Sequence, residues 1–391
     1  MNTEWFDNVP DRRGIGGMKW DEMPSPDVIP LWVADMDFRT APAITDALHR
    51  RVDNGIFGYT LVPDEYYDAV TSWFARRHGW QIDRDMMIYT SGVVPAISAI
   101  IKALAAPGDK VIVQTPVYNC FFSSIRNNGC EILPNPLLRD GDTFSMDFDD
   151  LERKAADPKA TLMILCNPHN PAGRVWSRDE LLRLGEICIR HGVTVISDEI
   201  HCEFVFDGYR HTPFASVSEE LSRHCVVCVS PSKAFNIAGL QIANIVAPDS
   251  DTRARIDKAI NINEVCDVNP FGVIATIAAY NEGEEWLKQL LDYLRGNYEY
   301  MRGFCRENLP QFPITRLEAT YLVWMDCRAL GMTSEELEER LVDDARLWLN
   351  AGSMYGADGD GFMRWNIACP RSVLQDGLER FRRYVNSVNF Q

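Results

Sequence analysis

From about residue 85 the chain alternates short apolar runs with stretches of helical period. The runs Met86–Tyr89, Lys110–Gln114, Cys130–Leu133, Thr161–Cys166, Val193–Ser197, Cys225–Ser230 and Ile242–Ala247 predict seven strands. Several are almost continuously apolar, as strands covered on both faces are. The helices between them have readable ends. Ser177 with Glu180 forms a capping box, Leu181, Leu184, Ile187 and Cys188 recur at helical spacing, and Gly192 closes the element. This alternation predicts an α/β protein with a mostly parallel sheet and helices on both faces.

Beyond about residue 250 the pattern turns to long amphipathic helices. Leu287, Leu290, Leu291, Leu294 and Tyr298 form one stripe, and Thr333 with Glu336 caps another helix. A last helix starts at Ser372 and runs through Leu374, Leu378, Phe381 and Val385, while Tyr321–Asp326 and Met363–Ile367 read as strands. The first forty-odd residues are rich in Pro, Trp and Asp and show no long periodic element. The expected organisation is a large α/β domain over 45–285 and a smaller α+β domain from 1–44 plus 286–391. There is no internal repeat and no low-complexity tract.

Composition narrows the function. The 391 residues carry 39 Lys plus Arg against 56 Asp plus Glu, a net charge of −17, with 46% hydrophobic and 24% charged residues. That is globular rather than disordered composition. The acidity disfavours nucleic acid and anionic membranes as partners, since neutralising phosphate needs a surplus of Lys and Arg. No run of 18 apolar residues occurs, and Met1–Pro10 lacks the basic-then-apolar order of an export signal. Eleven cysteines, an odd number, lie scattered in apolar stretches and read as reduced thiols of a cytoplasmic protein. Cys225-Val226-Val227-Cys228 sits in a predicted strand, where positions three apart face opposite sides. No second pair completes a zinc set, so no metal is expected.

In an open α/β sheet, ligands gather outside the carboxyl ends of the strands. Four such ends carry polar residues. Thr90-Ser91-Gly92-Val93-Val94-Pro95 feeds the helical stretch Ala96–Ala105, and a helix N-terminus offers free N–H groups to a phosphate. No GxGxxG and no Walker lysine is present, so the alternative is an ordinary βα turn. Asn167-Pro168-His169-Asn170-Pro171-Ala172-Gly173 is a rigid turn that either closes the strand or aims the Asn170 amide over the sheet edge. Asp198 ends a buried strand, where a carboxylate is costly unless it caps a helix or meets a cation. Lys233 is the lone charge between His224 and Asp249, flanked by the hydroxyls of Ser230 and Ser232. A desolvated lysine loses its proton more readily and serves as nucleophile or base; the alternative is a side chain reaching to solvent. A phosphate cradle, an amide, a carboxylate and an isolated lysine in one layer match pyridoxal phosphate.

At these residues the chain resembles the fold-type I pyridoxal-phosphate enzymes of the class I/II aminotransferase superfamily, and within it the cystathionine β-lyase (MalY/PatB) branch. The resemblance spans nearly the whole chain. It is carried by Trp32–Phe38, Gly58-Tyr59-Thr60, Ser91–Pro95, Asn167–Gly173, Asp198–His201, Ser230–Leu240 and Met363-Arg364-Trp365-Asn366. It implies a mostly parallel seven-stranded sheet flanked by helices, a smaller α+β domain, and pyridoxal 5′-phosphate as cofactor. It further implies that Lys233 carries the cofactor as a Schiff base and that Asp198 pairs with the pyridinium nitrogen. Tyr118 would stack on the ring and assist protonation, and Asn170 would bond the ring hydroxyl. The Val93 and Val94 amides with Ser230 and Ser232 would hold the phosphate. Tyr59 would reach it from the partner subunit of a homodimer with shared sites. Arg364, with Ala34 and Asn170 nearby, would grip the substrate carboxylate. Many aminotransferases carry tyrosine where this chain has His201, so that residue either contacts the cofactor or simply packs at the strand end.

The implied reaction is β-elimination from a small sulfur-containing amino acid, releasing a thiol, pyruvate and ammonia. The same residues serve an aminotransferase, which differs in where the carbanion is reprotonated. A third reading is a protein that sequesters a transcription regulator, a role some members of this branch play beside catalysis.

Overall fold

The computed structural model describes residues 4–264 and 268–388. Each of the seven predicted runs is a strand of one sheet. They are β1 Met87–Thr90, β2 Lys110–Val113, β3 Glu131–Pro134, β4 Ala160–Cys166, β5 Thr194–Asp198, β6 Cys225–Val229 and β7 Ala243–Val246. The order across the sheet is β1-β7-β6-β5-β4-β2-β3. Strands β2 to β6 pair in parallel, whereas β7 runs antiparallel to both β1 and β6. The reason is the connection. A parallel return needs a crossover, usually helical, but the chain between β6 and β7 is an irregular loop with one 3₁₀ turn, Ala238–Leu240.

Burial follows the pleat. Along β6, Cys225, Val227 and Val229 join one core cluster, while Val226 and Cys228 join the cluster on the other face. The two cysteines therefore face opposite sides. Ten cysteines are described, and none is in a disulfide. The capping box of Ser177 and Glu180 opens the helix Arg178–Arg190 as expected. Helix Val93–Leu104 leaves β1 and crosses the sheet over β7, β6, β5 and β4. Its first turn thus hangs over the carboxyl ends of the middle strands, where the chain reverses its order across the sheet.

A second sheet, β8 Leu322–Asp326, β9 Asn350–Ala351 and β10 Phe362–Asn366, is antiparallel in the order β8-β10-β9. The long helices Glu284–Asn308 and Arg371–Ser387 pack together beside it. The last begins one residue earlier than expected, because Pro370 stands at its N-cap. The N-terminal segment joins this part of the molecule: Ile29–Pro30 pairs in parallel with Leu347–Trp348. Lys19 there is fully buried, donating to Asp37 at 2.8 Å. Helices Pro42–Asn54 and Asp64–His78, outside the βα pattern, end at Gly55 and Gly79 with φ of 69° and 66°. No helix among the described residues is long and apolar enough to cross a membrane.

The turn Gly352–Tyr355 docks the two sheets' loops, since the Val117 amide donates to the Tyr355 carbonyl at 2.8 Å. A Cβ on Gly352 would overlap the carbonyl oxygens of Gly359 and Phe362. Backbone cannot yield as a side-chain end does, so Gly352→Ala is expected to cost about 1–3 kcal/mol. Urea unfolding measures it, and an unchanged midpoint would refute the overlap.

Candidate active site

The strand ends meet at one cavity of about 190 Å³. Its wall includes Ala34, Val93, Val94, Tyr118, Asn170, Asp198, His201, Ser232 and Lys233. Nine residues picked from scattered motifs thus converge on one space. A larger hollow of about 530 Å³ along β1 reaches Ser91 but otherwise holds none of this strand-end chemistry.

Lys233 hangs from the loop after β6. Ser230 starts that loop: its hydroxyl donates to the Ile242 carbonyl at 2.5 Å and accepts the Ser232 amide at 3.1 Å. Ser230 is therefore off the cavity wall that the sequence reading gave it, and it orients Ser232, which is on that wall. Asn236, with φ of 54°, turns the loop back and locks it, exchanging hydrogen bonds with the Met36 backbone. The Lys233 amine donates to the Ala34 carbonyl at 2.6 Å. Burial, reinforced by the positive charge of Arg364, pulls its pKa down to about 8. A useful fraction of free amine then exists near neutral pH.

Asp198 ends β5 and is 4% exposed, with the Ile200 amide at 3.1 Å as its hydrogen-bond donor. Burial raises its pKa to about 7, the Ile200 amide opposing the rise. Its neighbour Glu199 points away, bound to Ser197 at 2.9 Å, the Phe214 amide at 2.8 Å and His211 at 2.9 Å. The same carboxylate accepts the Asn167 amide at 3.4 Å and so ties β5 to the turn that carries Asn170. His201 is 4% exposed, its Nδ1 has no partner, and burial lowers its pKa to about 3. It is a neutral imidazole at any working pH.

The helix Val93–Leu104 opens at Gly92 with no side-chain cap, so its first N–H groups and positive dipole end face the cavity. Tyr118 stands opposite, its hydroxyl held protonated by burial and the adjacent Cys120. Arg364, from β10, lies at the edge: it donates to the Trp32 carbonyl at 2.7 Å and to Asn170 at 3.4 Å, with the Tyr355 ring 5.0 Å beneath it. Its Nε is buried without a partner. Tyr59 is 97% exposed and lies off the cavity wall of its own chain.

One feature of the site joins several of these motifs through long-range hydrogen bonds. The carbonyls of Trp32 to Met36 are held by side chains rather than by a neighbouring strand. Arg364 and Asn350 bind Trp32, Asn366 spans Val33 and Asp35, Lys233 and Tyr321 share Ala34, and Arg12 with Asn236 takes Met36. Away from the cavity, His78, Cys202 and Glu203 lie within reach of one ion. Glu203 is already bound by Arg77, Trp73 and His78, which against the pull of burial bring its pKa down to about 2.

The comparisons fit this geometry. The sequence pattern of the aminotransferase class I and II family matches residues 26–381. The chain belongs to that family. It is 45% identical over 381 residues to cystathionine beta-lyase PatB of Bacillus subtilis, covering 96% of this chain and 98% of that one. It is 34% identical to protein MalY of Escherichia coli, over 98% and 99% of the two chains. Among solved structures, cystalysin from Treponema denticola, which contains a pyridoxal 5′-phosphate cofactor, superposes with a TM-score of 0.95 at 35% identity, over 97% and 98%.

As an aminotransferase-family site, the cavity fits that cofactor on its own residues. An acid with a single amide donor, an imidazole with its Nδ1 unpartnered, an uncapped helix end and a desolvated amine are costly to bury without a ligand to satisfy them. The cost is measurable. Asp198 holds its proton up to about pH 7 in the fold but only to about 3.9 unfolded. The folded state binds more protons in that window, so stability falls as pH rises through it. In cofactor-free protein, Asp198→Asn is expected to shrink the loss of urea resistance between about pH 5 and about pH 8. An unchanged difference would clear Asp198 of that cost.

Proposed function

We propose that this protein is a pyridoxal-phosphate-dependent carbon–sulfur β-lyase acting on a small sulfur-containing amino acid. The observation that carries the reading is Lys233, a desolvated amine docked on Ala34 within the wall that also holds Asp198. The 45% identity to a cystathionine β-lyase supports the substrate class.

The bound cofactor supplies an electron sink for the carbanion formed at the substrate Cα. The Val93 and Val94 amides and the Ser232 hydroxyl, all on the cavity wall, would hold its phosphate, with Ser230 behind Ser232. Asp198 meets the pyridinium nitrogen, and a cation there would lower its raised pKa and ionise it. Asn170 and the neutral His201, also on that wall, would offer the ring hydrogen bonds, and Tyr118 would stack on it. Arg364, with an unused Nε, takes the substrate carboxylate beside Ala34 and Asn170. Lys233 takes the Cα proton: the C–H bond breaks, the pair stays on carbon, and the amine becomes an ammonium. Departure of the sulfur as thiol and hydrolysis of the remainder give pyruvate and ammonia. With cystathionine the balance is one water consumed and homocysteine released.

We read the working unit as a homodimer. Tyr59 lies with Ile56, Phe57 and Leu61 in one stretch of exposed apolar side chains, which supports a second copy covering it. Tyr59 would then complete the partner's phosphate site. The division into a large domain over 45–285 and a small one from 1–44 plus 286–391 is supported by the two sheets and by the pairing of Ile29–Pro30 with Leu347–Trp348. The cysteines without disulfides support a cytoplasmic location.

Purified protein given cystathionine and pyridoxal phosphate, without any keto acid, is expected to release pyruvate over many turnovers, and Lys233→Ala to release none. A single turnover that stops until keto acid is added would mean an aminotransferase instead. Co-expressed Lys233→Ala and Tyr59→Ala chains are expected to recover activity that neither has alone, because mixed dimers hold one intact site. Absence of recovery would refute shared sites.

A further inference from the structure

Tyr321 is fully buried, and its hydroxyl donates to the Ala34 carbonyl at 2.9 Å. The same oxygen receives the Lys233 amine at 2.6 Å. A carbonyl has two acceptor positions, and here each is taken by one donor. The peptide that carries this oxygen is fixed from both sides, since the Asn366 amide bonds the carbonyls of Val33 and Asp35 at 2.6 Å each.

The delivery of Tyr321 is independent evidence. Thr320, just before it, has φ of 73°, a conformation that a β-branched residue adopts only under strain. That strain is held by the Thr320 amide donating to the Phe204 carbonyl at 2.8 Å and by its hydroxyl accepting from the Leu322 amide at 3.2 Å. The turn brings the Tyr321 ring 4.8 Å from Phe204 and 5.9 Å from His201. Phenylalanine would fill that space equally well, so packing does not account for the hydroxyl.

We propose that Tyr321 is a positioning residue: its hydroxyl fixes the Ala34 carbonyl as the dock for the free amine of Lys233. The inference rests on the reading of Lys233 as the group that takes the substrate's Cα proton. When it does so, the new ammonium keeps one N–H on Ala34, and that hydrogen bond strengthens as the charge forms. Tyr321 itself is not on the cavity wall. It acts through the position of one backbone oxygen.

The test uses the holoenzyme with Tyr321→Phe. L-alanine has no leaving group, so exchange of its Cα hydrogen for deuterium, followed by NMR, reads the amine without any elimination. Exchange and pyruvate release are both expected to slow roughly tenfold, the effect of one lost hydrogen bond, with KM within about twofold of wild type. Cofactor absorbance and retention on dialysis should be unchanged. Wild-type exchange in the variant would overturn the proposal. So would loss of the cofactor or of the fold, which would make the hydroxyl a structural prop. Wild-type protein that exchanges alanine hydrogen but never yields pyruvate would defeat the lyase reading alone, and the variant's exchange rate would still judge Tyr321.

Discussion

The site depends on the need to satisfy the carbonyl groups of Trp32 to Met36. This segment has no strand beside it to accept its backbone, and a buried carbonyl without a donor is costly. The donors come from the whole chain: Arg12 from the N-terminus, Lys233 and Asn236 from the loop after β6, Tyr321 at the start of β8, and Arg364 and Asn366 from β10. The large sheet, the small sheet and the N-terminal segment are thereby referred to one piece of backbone. Lys233 and Arg364, the two cations of the chemistry, are among the donors. Backbone satisfaction and catalytic geometry are the same set of hydrogen bonds.

Two adjacent carboxylates show how burial divides roles. Glu199 and Asp198 follow each other in the chain, and both are nearly inaccessible. Glu199 has the Ser197, Phe214 and His211 partners and serves the fold. Asp198 has one amide and an open cavity. Natural proteins relax local rules of this kind chiefly at functional sites. The sparsely bonded acid therefore marks the site more sharply than the well-bonded one.

What was legible in the sequence follows from the range of the interactions. Strands buried on both faces must be nearly all apolar, so β4, β5 and β6 stood out, and the capping box at Ser177 is a contact over three residues. Asp198, Asn170 and Lys233 were found because strand ends in such a sheet converge. Tyr321, Asn366 and Asn236 were not, since each acts on a carbonyl about 200 or more residues away and leaves no periodicity. That the Ser230 hydroxyl is engaged with backbone is not legible either, for a related reason. Its neighbour Ser232 has the same chemistry, and only the Ile242 carbonyl, twelve residues on, decides which hydroxyl is free.

Charge in the cavity completes the argument. Burial drives Asp198 toward its protonated form, Lys233 toward the amine and His201 to neutral imidazole. Arg364 adds a guanidinium bonded to Trp32 and Asn170. On the proposed function, a dianionic phosphate and a substrate carboxylate would meet a helix N-terminus and a guanidinium, with little opposing negative charge. Asp198, held partly protonated near neutral pH by burial, ionises more fully when a cation such as a pyridinium is set against it, because that cation offsets the desolvation that held the proton. The acid therefore opposes incoming anions less than an ordinary aspartate would, and its full charge would develop once the ring is in place. A fully ionised aspartate at the same point would repel the anions the site must admit, so the low polarity around β5 is part of the chemistry.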